Sequence, residues 1–260
     1  MKKIVITGSS KGIGYGLAKY FLEEGHKVVI VGSTEKSTMS AYNKFVKTFP
    51  TSVYKVPCDV TDYAQVVNLG HKAAALMGGI DIWINNAGIS QPAIPTHLLS
   101  EEQIRKIVDV NIHGVINGSK FAMNYFIKKR GGALYNMEGL GSDGRIAANV
   151  GYYGSSKRFV RYYTRVLAKE NKNKNIIVAR LSPGMVTTDL LLKDIEKSKN
   201  KEKTLKIFNI LADKVEDVAP FLGKRILSNR KNDALIAWLT TPKIVFRFLT
   251  AGFIKRNPLG

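Results

Sequence analysis

The sequence predicts an α/β protein with a doubly wound parallel sheet, built in three layers as a single domain over residues 1–260. Apolar segments of strand length alternate with amphipathic helical segments along most of the chain. The strand segments are apolar on both faces, which is typical of a parallel sheet covered by helices on both sides. The first strand also runs into a glycine-rich turn that opens a helix. Together these observations indicate a Rossmann-type fold.

Each element follows from a local pattern and a boundary signal. Short β-branched or apolar runs predict strands at 3–7, 28–31, 53–56, 80–84, 133–137, 176–181 and 234–239. Apolar residues at helical spacing predict helices at 12–24, 38–48, 62–77, 101–129, 152–170 and 215–228. Gly25 ends the first helix, and Thr61 or Asp62 caps the third. Ser100 and Gln103 form a capping-box pattern before the fourth.

Two segments depart from this alternation. Residues 188–208 are polar and helical, and we expect them to form a flap over a substrate cleft. The tail over 240–260 is apolar, lacks acidic residues and contains Lys243, Arg247, Lys255 and Arg256. Such a tail either lies on an acidic membrane surface, packs across a subunit interface or closes the cleft, and packing is the commoner outcome.

The composition limits the classes of function. A net charge of +20 favours anionic partners, although most of the lysines are scattered as on a solvated surface. The single cysteine, Cys58, excludes an intramolecular disulfide and a cysteine-rich zinc site. We find no apolar run of membrane-spanning length and expect no secretion signal, so the expected location is the cytoplasm. No basic and aromatic motif suggests a nucleic-acid partner.

The glycine-rich turn predicts a dinucleotide site. Glycines allow a tight reversal and a close approach of backbone N–H groups to a diphosphate, while the positive end of the next helix faces that anion. Because the turn lies between a predicted strand and a predicted helix, it indicates a dinucleotide site more specifically than the glycine spacing alone. The expected binding residues of this turn are Gly8, Ser10, Lys11, Gly12, Ile13 and Gly14.

The end of the second predicted strand favours NADP(H) over NAD(H). An acidic residue there would bind the ribose 2′-hydroxyl of NAD. The sequence has no acid at this point, because Glu35 comes too late, and it offers Ser33 together with Lys11. A hydroxyl and a cation suit a 2′-phosphate.

Tyr153 and Lys157 form the candidate catalytic pair. Their i, i+4 spacing places both on one face of the predicted helix. An ammonium beside a phenol stabilises the phenolate and lowers the phenol pKa from about 10, so the phenol can exchange a proton near neutral pH. Tyr152 has a serine at i+4 and is the weaker candidate.

In combination, these motifs resemble the short-chain dehydrogenase/reductase family over residues 1 to about 190. The motifs that carry the resemblance appear in the family's order: the glycine turn, Asp59, Asn86-Ala87-Gly88, Asn111, Tyr153 with Lys157, and Pro183-Gly184.

The resemblance implies roles for these residues. The adenine would be held by Asp59 and Val60. The residues that would line the cofactor and steady the sheet are Asn86, Ala87 and Gly88. The residues that would flank the nicotinamide and its phosphate are Pro183, Gly184, Val186 and Thr188. Tyr153 and Lys157 would also contact the cofactor, and Asn111 would fix a water that links Lys157 to solvent.

The chain departs from the family after its fifth strand. The serine that usually polarises the substrate carbonyl is replaced by Gly139, and the nearest serine is Ser142. The surrounding run from Asn136 to Gly144 resembles the chlorophyll b reductase branch. Either Ser142 reaches the carbonyl oxygen, which we favour, or Tyr153 alone or a backbone N–H polarises it. Glu138 would then bind substrate or pair with a nearby lysine.

The leading hypothesis is an NADPH-dependent reductase that acts on a carbonyl of a bulky apolar substrate with Tyr153 as proton donor. The alternative is a dinucleotide-binding sensor or scaffold without catalysis, which retention of Tyr153, Lys157 and Asn111 disfavours. By resemblance we expect a homodimer or homotetramer formed through the long helices.

Overall fold

The structure is a computed structural model that describes residues 1–188, 201–254, 256 and 258. Within these residues, seven parallel strands form one sheet in the order β3-β2-β1-β4-β5-β6-β7. The strands are β1 Lys3–Ile6, β2 Lys27–Ile30, β3 Val53–Lys55, β4 Ile82–Asn85, β5 Gly132–Met137, β6 Ile176–Ser182 and β7 Leu235–Ala237. The strand order reverses between β1 and β4, so the crevice beyond their carboxyl ends is the expected ligand site.

Helices cover both faces of the sheet. They are α1 Gly12–Glu23, α2 Glu35–Val46, α3 Tyr63–Met77, α4 Glu101–Val108, α5 Gly114–Lys129, α6 Gly151–Glu170, α7 Lys201–Leu211, α8 Val215–Ser228 and α9 Thr241–Thr250. The doubly wound architecture predicted from the sequence is therefore confirmed.

Two apolar cores lie on opposite faces of the sheet. Successive side chains of a strand point to opposite faces. Ile4 and Ile6 of β1 accordingly belong to the core under α1 and α8, whereas Val5 belongs to the core with Trp83 and Phe121. Both faces of the sheet are buried under helices, which explains why the strand sequences are continuous apolar runs.

The helix boundaries follow the capping residues. Asp62 accepts hydrogen bonds from the backbone N–H groups of Ala64 and Gln65, so it caps α3. Ser100 and Gln103 form the capping box of α4 as predicted. The helix predicted at 38–48 begins three residues earlier, at Glu35, because Thr34 and Ser37 form a second capping box that the sequence analysis missed.

The long helix predicted at 101–129 is interrupted. Between α4 and α5, residues Asp109–His113 form one π-helical turn. Such turns widen a helix locally and often occur at functional sites.

The C-terminal region contains more regular structure, within its described residues, than the sequence pattern indicated. Of the predicted flap over 188–208, residues 189–200 lie outside the described residues, and α7 covers 201–208. The edge strand predicted at 234–239 is shortened to β7, and the tail contains the helix α9. Among the residues described, no helix is both long and apolar enough to cross a bilayer.

Candidate active site

The glycine turn packs directly against the segment that follows β4. Gly8 and Gly12 have φ angles of +65° and +58°, a conformation that favours glycine. A Cβ atom on Gly8 would lie 2.8 Å from Ala87 Cα. Asn86 Nδ2 donates to the carbonyls of Thr7 (2.9 Å) and Gly8 (3.1 Å). The turn is therefore held by backbone contact and by one amide.

The N-terminus of α1 is available to an anion. The helix begins at Gly12, and among the described residues no side chain caps it. The first N–H groups of a helix have no partner within the helix, and they carry its positive dipole end. Since Gly12 lines the large cavity above the sheet, these groups suit a phosphate.

The predicted adenosine end of the site contains no free acid from β2. Ser33 and Lys11 are exposed and line the cavity. Glu35 instead pairs with Lys55, with 2.8 Å between the carboxylate and the ammonium. The Asp59 carboxylate accepts hydrogen bonds from the backbone N–H and hydroxyl of Thr61.

Tyr153 and Lys157 project from the first turns of α6 into this cavity. The Lys157 ammonium is buried, lies 5.8 Å from the centre of the Tyr153 ring and donates to the Met137 carbonyl at 3.3 Å. Burial lowers the pKa of Lys157 to about 8, although the negative charge of Glu138 opposes this shift. The predicted pair is thus brought together, with an ammonium that loses its proton unusually easily.

Asn111 lies in the π-helical turn, behind the cavity wall. Its side chain is fully buried and joins the segment after β4 to α6. Oδ1 accepts from the Ile89 N–H at 2.9 Å, and Nδ2 donates to the Ile89 carbonyl (2.9 Å) and to Ser156 Oγ (3.1 Å). A Cβ atom on Gly88 would lie 3.3 Å from both Asn111 Oδ1 and Lys157 Nζ, so a glycine leaves room between them. The role of Asn111 in fixing a water stays a prediction.

The loop after β5 shows why the usual serine is absent. A Cβ atom on Gly139 would lie 2.5 Å from the Tyr153 hydroxyl oxygen, closer than two unbonded heavy atoms can approach without displacement. Gly141 has a φ of +90°, and a Cβ atom there would lie 2.7 Å from Gly154 Cα at the start of α6. The loop therefore packs on α6 through two glycines, and the Tyr153 hydroxyl fills the space of a side chain at 139.

Ser142 lies in the same cavity with its hydroxyl directed to Glu138. Its Oγ donates to Glu138 Oε2 at 3.1 Å, and its carbonyl accepts from Arg158 at 3.0 Å. The serine is buried and lines the cavity, so the hydroxyl is near the predicted site. Whether it polarises a substrate carbonyl stays a prediction.

Glu138 is a buried carboxylate whose ion-pair partners among the described residues are two arginines, whereas one expectation was a lysine. Its oxygens lie 3.8 Å from Arg161 and 3.8 Å from Arg180. Burial raises the pKa of Glu138, and the positive charges of both arginines oppose that shift. Among the described residues, Oε1 has no hydrogen-bond partner.

A single cavity of about 1730 Å³ contains nearly all of these groups. It is lined by every residue predicted to bind the cofactor except Gly14, and also by Ser142. Gly14 lies beneath the turn, where a Cβ atom would be 2.6 Å from the Gly8 carbonyl oxygen. The rest of the lining includes a group of apolar residues, which we name the apolar end of the cavity: Leu140, Val150, Phe208, Leu211, Leu239 and Ile244.

The sequence analysis missed Asp213, which connects this apolar end to the cofactor end. Its carboxylate accepts hydrogen bonds from Arg247 (2.8 and 2.9 Å), Arg256 (2.6 Å) and Trp238 (2.6 Å). Its backbone exchanges hydrogen bonds with Met185 and Thr187, in the segment expected to flank the nicotinamide. No local pattern marks this aspartate, because its side-chain partners lie far along the chain.

The chain is similar in sequence to known reductases. It is 39% identical over 229 residues to the chloroplastic chlorophyll(ide) b reductase NOL of Arabidopsis thaliana, covering 86% of this chain and 64% of that protein. It is 33% identical over 273 residues to the probable chlorophyll(ide) b reductase NYC1, also chloroplastic, of Oryza sativa subsp. japonica, covering 98% of this chain and 53% of that protein. The chain thus spans between about half and two-thirds of the length of these relatives.

These relatives confirm one expectation and overturn another. The resemblance of the loop after β5 to the chlorophyll b reductase branch is confirmed. The cytoplasmic location expected from the composition is wrong on this comparison, because both relatives are chloroplastic. Neither the net charge nor the single cysteine distinguishes these two compartments.

A solved structure supports the fold and the class of cofactor. The 3-ketoacyl-(acyl-carrier-protein) reductase of Brucella melitensis, complexed with NADH, superposes with a TM-score of 0.79 at 25% identity, covering 91% of this chain and 96% of that one. The family model described as short chain dehydrogenase matches residues 2–199. The chain therefore belongs to the short-chain dehydrogenase/reductase family.

Proposed function

We propose that this protein reduces a carbonyl group of a bulky apolar substrate with NADPH, using Tyr153 as the proton donor. The observation that carries this proposal is the position of Tyr153 and the buried Lys157 in the same cavity as the glycine turn. A sensor that only binds a dinucleotide has no need for a buried ammonium beside that phenol.

The residues of the cavity fit a dinucleotide. The glycines leave the turn open to a diphosphate, and the N-terminus of α1 offers backbone N–H groups to it. Pro183, Gly184, Val186 and Thr188 line the same cavity and would flank the nicotinamide and its phosphate. When bound, the reduced cofactor would supply a hydride to the carbonyl carbon.

Lys11 and Ser33 support NADPH over NADH. Both are exposed on the cavity wall, and Glu35 is held away by Lys55. The double variant Lys11→Ala/Ser33→Asp should lower the ratio of kcat/KM for NADPH over NADH by about tenfold, since a charge-assisted contact is lost and a repulsive one is added. A ratio that does not change would refute this assignment.

The chain's own groups then handle the proton. The Tyr153 hydroxyl donates its proton to the carbonyl oxygen, and the Lys157 ammonium stabilises the phenolate that remains. The Met137 carbonyl accepts a hydrogen bond from the ammonium and so positions it. Gly88, which has no side chain, leaves room for the ammonium. Asn111 positions this region by joining Ile89 to Ser156.

The cavity's size and its apolar end support a large substrate. Its volume of about 1730 Å³ exceeds that of most small-molecule pockets, about 300–1000 Å³, so a dinucleotide and a bulky partner fit together. Ile207 and Phe208 of α7 line this end, which supports the proposed role of the flap region. The two plant relatives make chlorophyllide b the first substrate to test and favour a plastid location for this chain.

The direct test is Tyr153→Phe, assayed by NADPH oxidation with chlorophyllide b and a panel of apolar aldehydes and ketones. We expect kcat to fall by ~10³-fold, within the range for loss of a general acid, while NADPH binding followed by fluorescence persists. Tyr152→Phe is the matched control and should keep its activity. NADPH binding without turnover of any carbonyl by the unaltered protein would instead favour the sensor.

A second test addresses the missing serine. If Ser142 leaves Glu138 to donate to the carbonyl oxygen, Ser142→Ala should lower kcat by ~10²-fold, as expected for loss of one such donor. An unchanged kcat would assign carbonyl polarisation to Tyr153 alone or to a backbone N–H.

A further inference from the structure

Helix α9 is amphipathic, but it turns its charged face toward the protein and its apolar face toward solvent, the reverse of a helix that packs on a core. Its only buried residue is Arg247. Val245, Phe246, Phe248 and Leu249 are each about half exposed or more, and Leu249 reaches 73%. Surface helices of globular domains normally turn their apolar stripe inward. Here the charged side faces the protein body and the apolar side faces outward.

Asp213 explains the orientation of the charged side. Arg247 donates two hydrogen bonds to its carboxylate and one to the Leu211 carbonyl. Arg256, beyond the helix, donates to the same carboxylate and to the carbonyls of Ile210 and Ala212. The Lys243 ammonium lies over the Trp238 ring, 3.3 Å from its centre. These contacts hold α9 in place from its polar side, so its apolar side is not available to the core.

The outward apolar surface continues past the end of the helix. Phe253 is 91% exposed and Ile254 51% exposed. Together with the four apolar side chains of α9 they form what we name the α9 outer face: Val245, Phe246, Phe248, Leu249, Phe253 and Ile254. Clusters of large exposed apolar side chains are uncommon on soluble monomers and indicate an interaction surface.

Charge indicates what the α9 outer face contacts. The last acidic residue of the chain is Asp233, and the residues after it include Lys243, Arg247, Lys255 and Arg256. Asp213 offsets only one of the two guanidinium charges it binds. A face rich in Phe and Leu within an acid-free segment of net positive charge complements an anionic lipid surface: the rings would enter the acyl boundary, and the net charge would attract the surface. A second copy docked through this face would bring the same acid-free, basic segment against it, so charge favours anionic lipid over a second copy.

The position of the face relative to the cavity fits the same partner. Ile244, one residue before the face begins, lines the apolar end of the cavity with Leu239 and Thr241. Phe248 follows Ile244 by four residues and Val245 follows Thr241 by four, so the cavity wall and the outer face adjoin along one helix. A lipid surface at this face would lie beside the apolar end of the cavity.

We propose that the α9 outer face binds the surface of a bilayer that contains anionic lipid, with α9 lying in the plane of the interface. Binding does not depend on the reductase activity proposed above, so the two proposals can fail separately.

The experiment is sedimentation of the full chain with vesicles of phosphatidylcholine alone or mixed with phosphatidylglycerol. We compare the unaltered protein with Leu249→Ser/Phe253→Ser and with a matched control, Leu76→Ser/Leu98→Ser, which removes two exposed leucines elsewhere on the surface. Affinity for mixed vesicles should fall at least ~10-fold in the first variant and remain unchanged in the control. Added salt should weaken binding of the unaltered protein to mixed vesicles.

Unchanged NADPH binding and circular dichroism should show that both variants are folded. Equal sedimentation of the unaltered protein and Leu249→Ser/Phe253→Ser would overturn the proposal. So would an absence of vesicle binding together with a dimer in buffer that the same variant dissociates, because the face would then belong to a second copy.

Discussion

The two sides of the cavity are stabilised by different interactions: neutral hydrogen bonds on the cofactor side and buried ion pairs on the substrate side. On the cofactor side, short neutral side chains bind backbone: Thr7 Oγ1 accepts from the N–H groups of Asn86 and Ala87, and Ser9 Oγ accepts from Val31. On the substrate side, buried charges are paired: Glu138 faces Arg161 and Arg180, and Asp213 binds Arg247 and Arg256. The neutral hydrogen bonds named on the cofactor side do not titrate, whereas the ion pairs on the substrate side depend on which groups are ionised.

This difference in interactions also affects how much stability a substitution costs on each side of the cavity. A neutral hydrogen bond contributes about 1 kcal/mol net, and losing one partner leaves a buried group that costs about 1–3 kcal/mol. Removing one member of a buried ion pair costs about 3–5 kcal/mol, because the other charge stays buried. Substitutions on the substrate side should therefore have larger effects, and the following predictions test this from the largest effect to the smallest.

Among the substitutions that test this comparison, the largest expected effect comes from restoring the family's serine. Gly139→Ser should lower kcat/KM by ~10²-fold or more, because its side chain must displace the Tyr153 hydroxyl and small misplacements of a catalytic group are costly. Steady-state NADPH oxidation measures the loss, and Gly139→Ala should behave alike since the Cβ atom is sufficient. An increase in activity would show that the loop moves to admit the serine.

The second prediction compares the two sides by stability. Asp213→Asn should lower the free energy of unfolding by about 3 kcal/mol, and Thr7→Val on the cofactor side by about 2 kcal/mol. Burial raises the pKa of Asp213, but hydrogen bonds from Arg247 and Trp238 and the arginine charges outweigh it and hold the pKa below its ordinary value. The stabilisation by ionised Asp213 is therefore complete above the unfolded pKa of about 3.9 and declines as the pH falls below it.

Urea unfolding as a function of pH measures both variants. The difference between the unaltered protein and Asp213→Asn should be constant near neutrality and shrink below about pH 4, while the difference for Thr7→Val should not change. Parallel behaviour of the two variants in acid would contradict the comparison.

The smallest expected effect is a shift in a pH profile. The pKa of Lys157 is about 8, lowered by burial and partly restored by Glu138. We expect kcat/KM to fall as the pH rises through about 8, since the ammonium loses its proton. Glu138→Gln should move this alkaline limb to lower pH, because the carboxylate that favours the ammonium is gone. Asp233→Asn, which changes the other side of Arg180, is the control and should leave the limb in place.

Deprotonation of Lys157 should lower activity but raise the free energy of unfolding. The folded state binds the Lys157 proton more weakly than the unfolded chain, whose lysine pKa is about 10.4. The contribution of this group to stability should therefore increase between about pH 8 and pH 10.4, over the range where activity declines. Unfolding measured with Lys157→Met, which lacks the titration, isolates this contribution.

The sequence was sufficient to predict the cofactor side because its signals are local. The glycine turn, the cap at Asp62 and the pair Tyr153 and Lys157 each depend on residues within a few positions of one another. Periodicity supplied the sheet, since buried parallel strands read as apolar runs.

The substrate side was less predictable because its contacts are distant in sequence. Asp213 meets Arg247 thirty-four residues later, and Glu138 meets Arg180 across β5 and β6. A basic tail without acids suggested free surface charge, yet Arg247 and Arg256 are occupied by one aspartate. The steric reason for Gly139 could not be predicted from the sequence either, because it depends on where the fold places the Tyr153 hydroxyl.

Asp213 gives the end of the chain an influence on the opposite end of the cavity. The carboxylate that binds Arg247 and Arg256 belongs to the residue whose backbone supports Met185 and Thr187. A protease that trimmed the protein before α9 would leave that carboxylate without its two arginines, next to the segment that we expect to flank the nicotinamide. Such a trimmed enzyme would show its defect first as weaker cofactor affinity, although the cut lies far from any phosphate-binding residue.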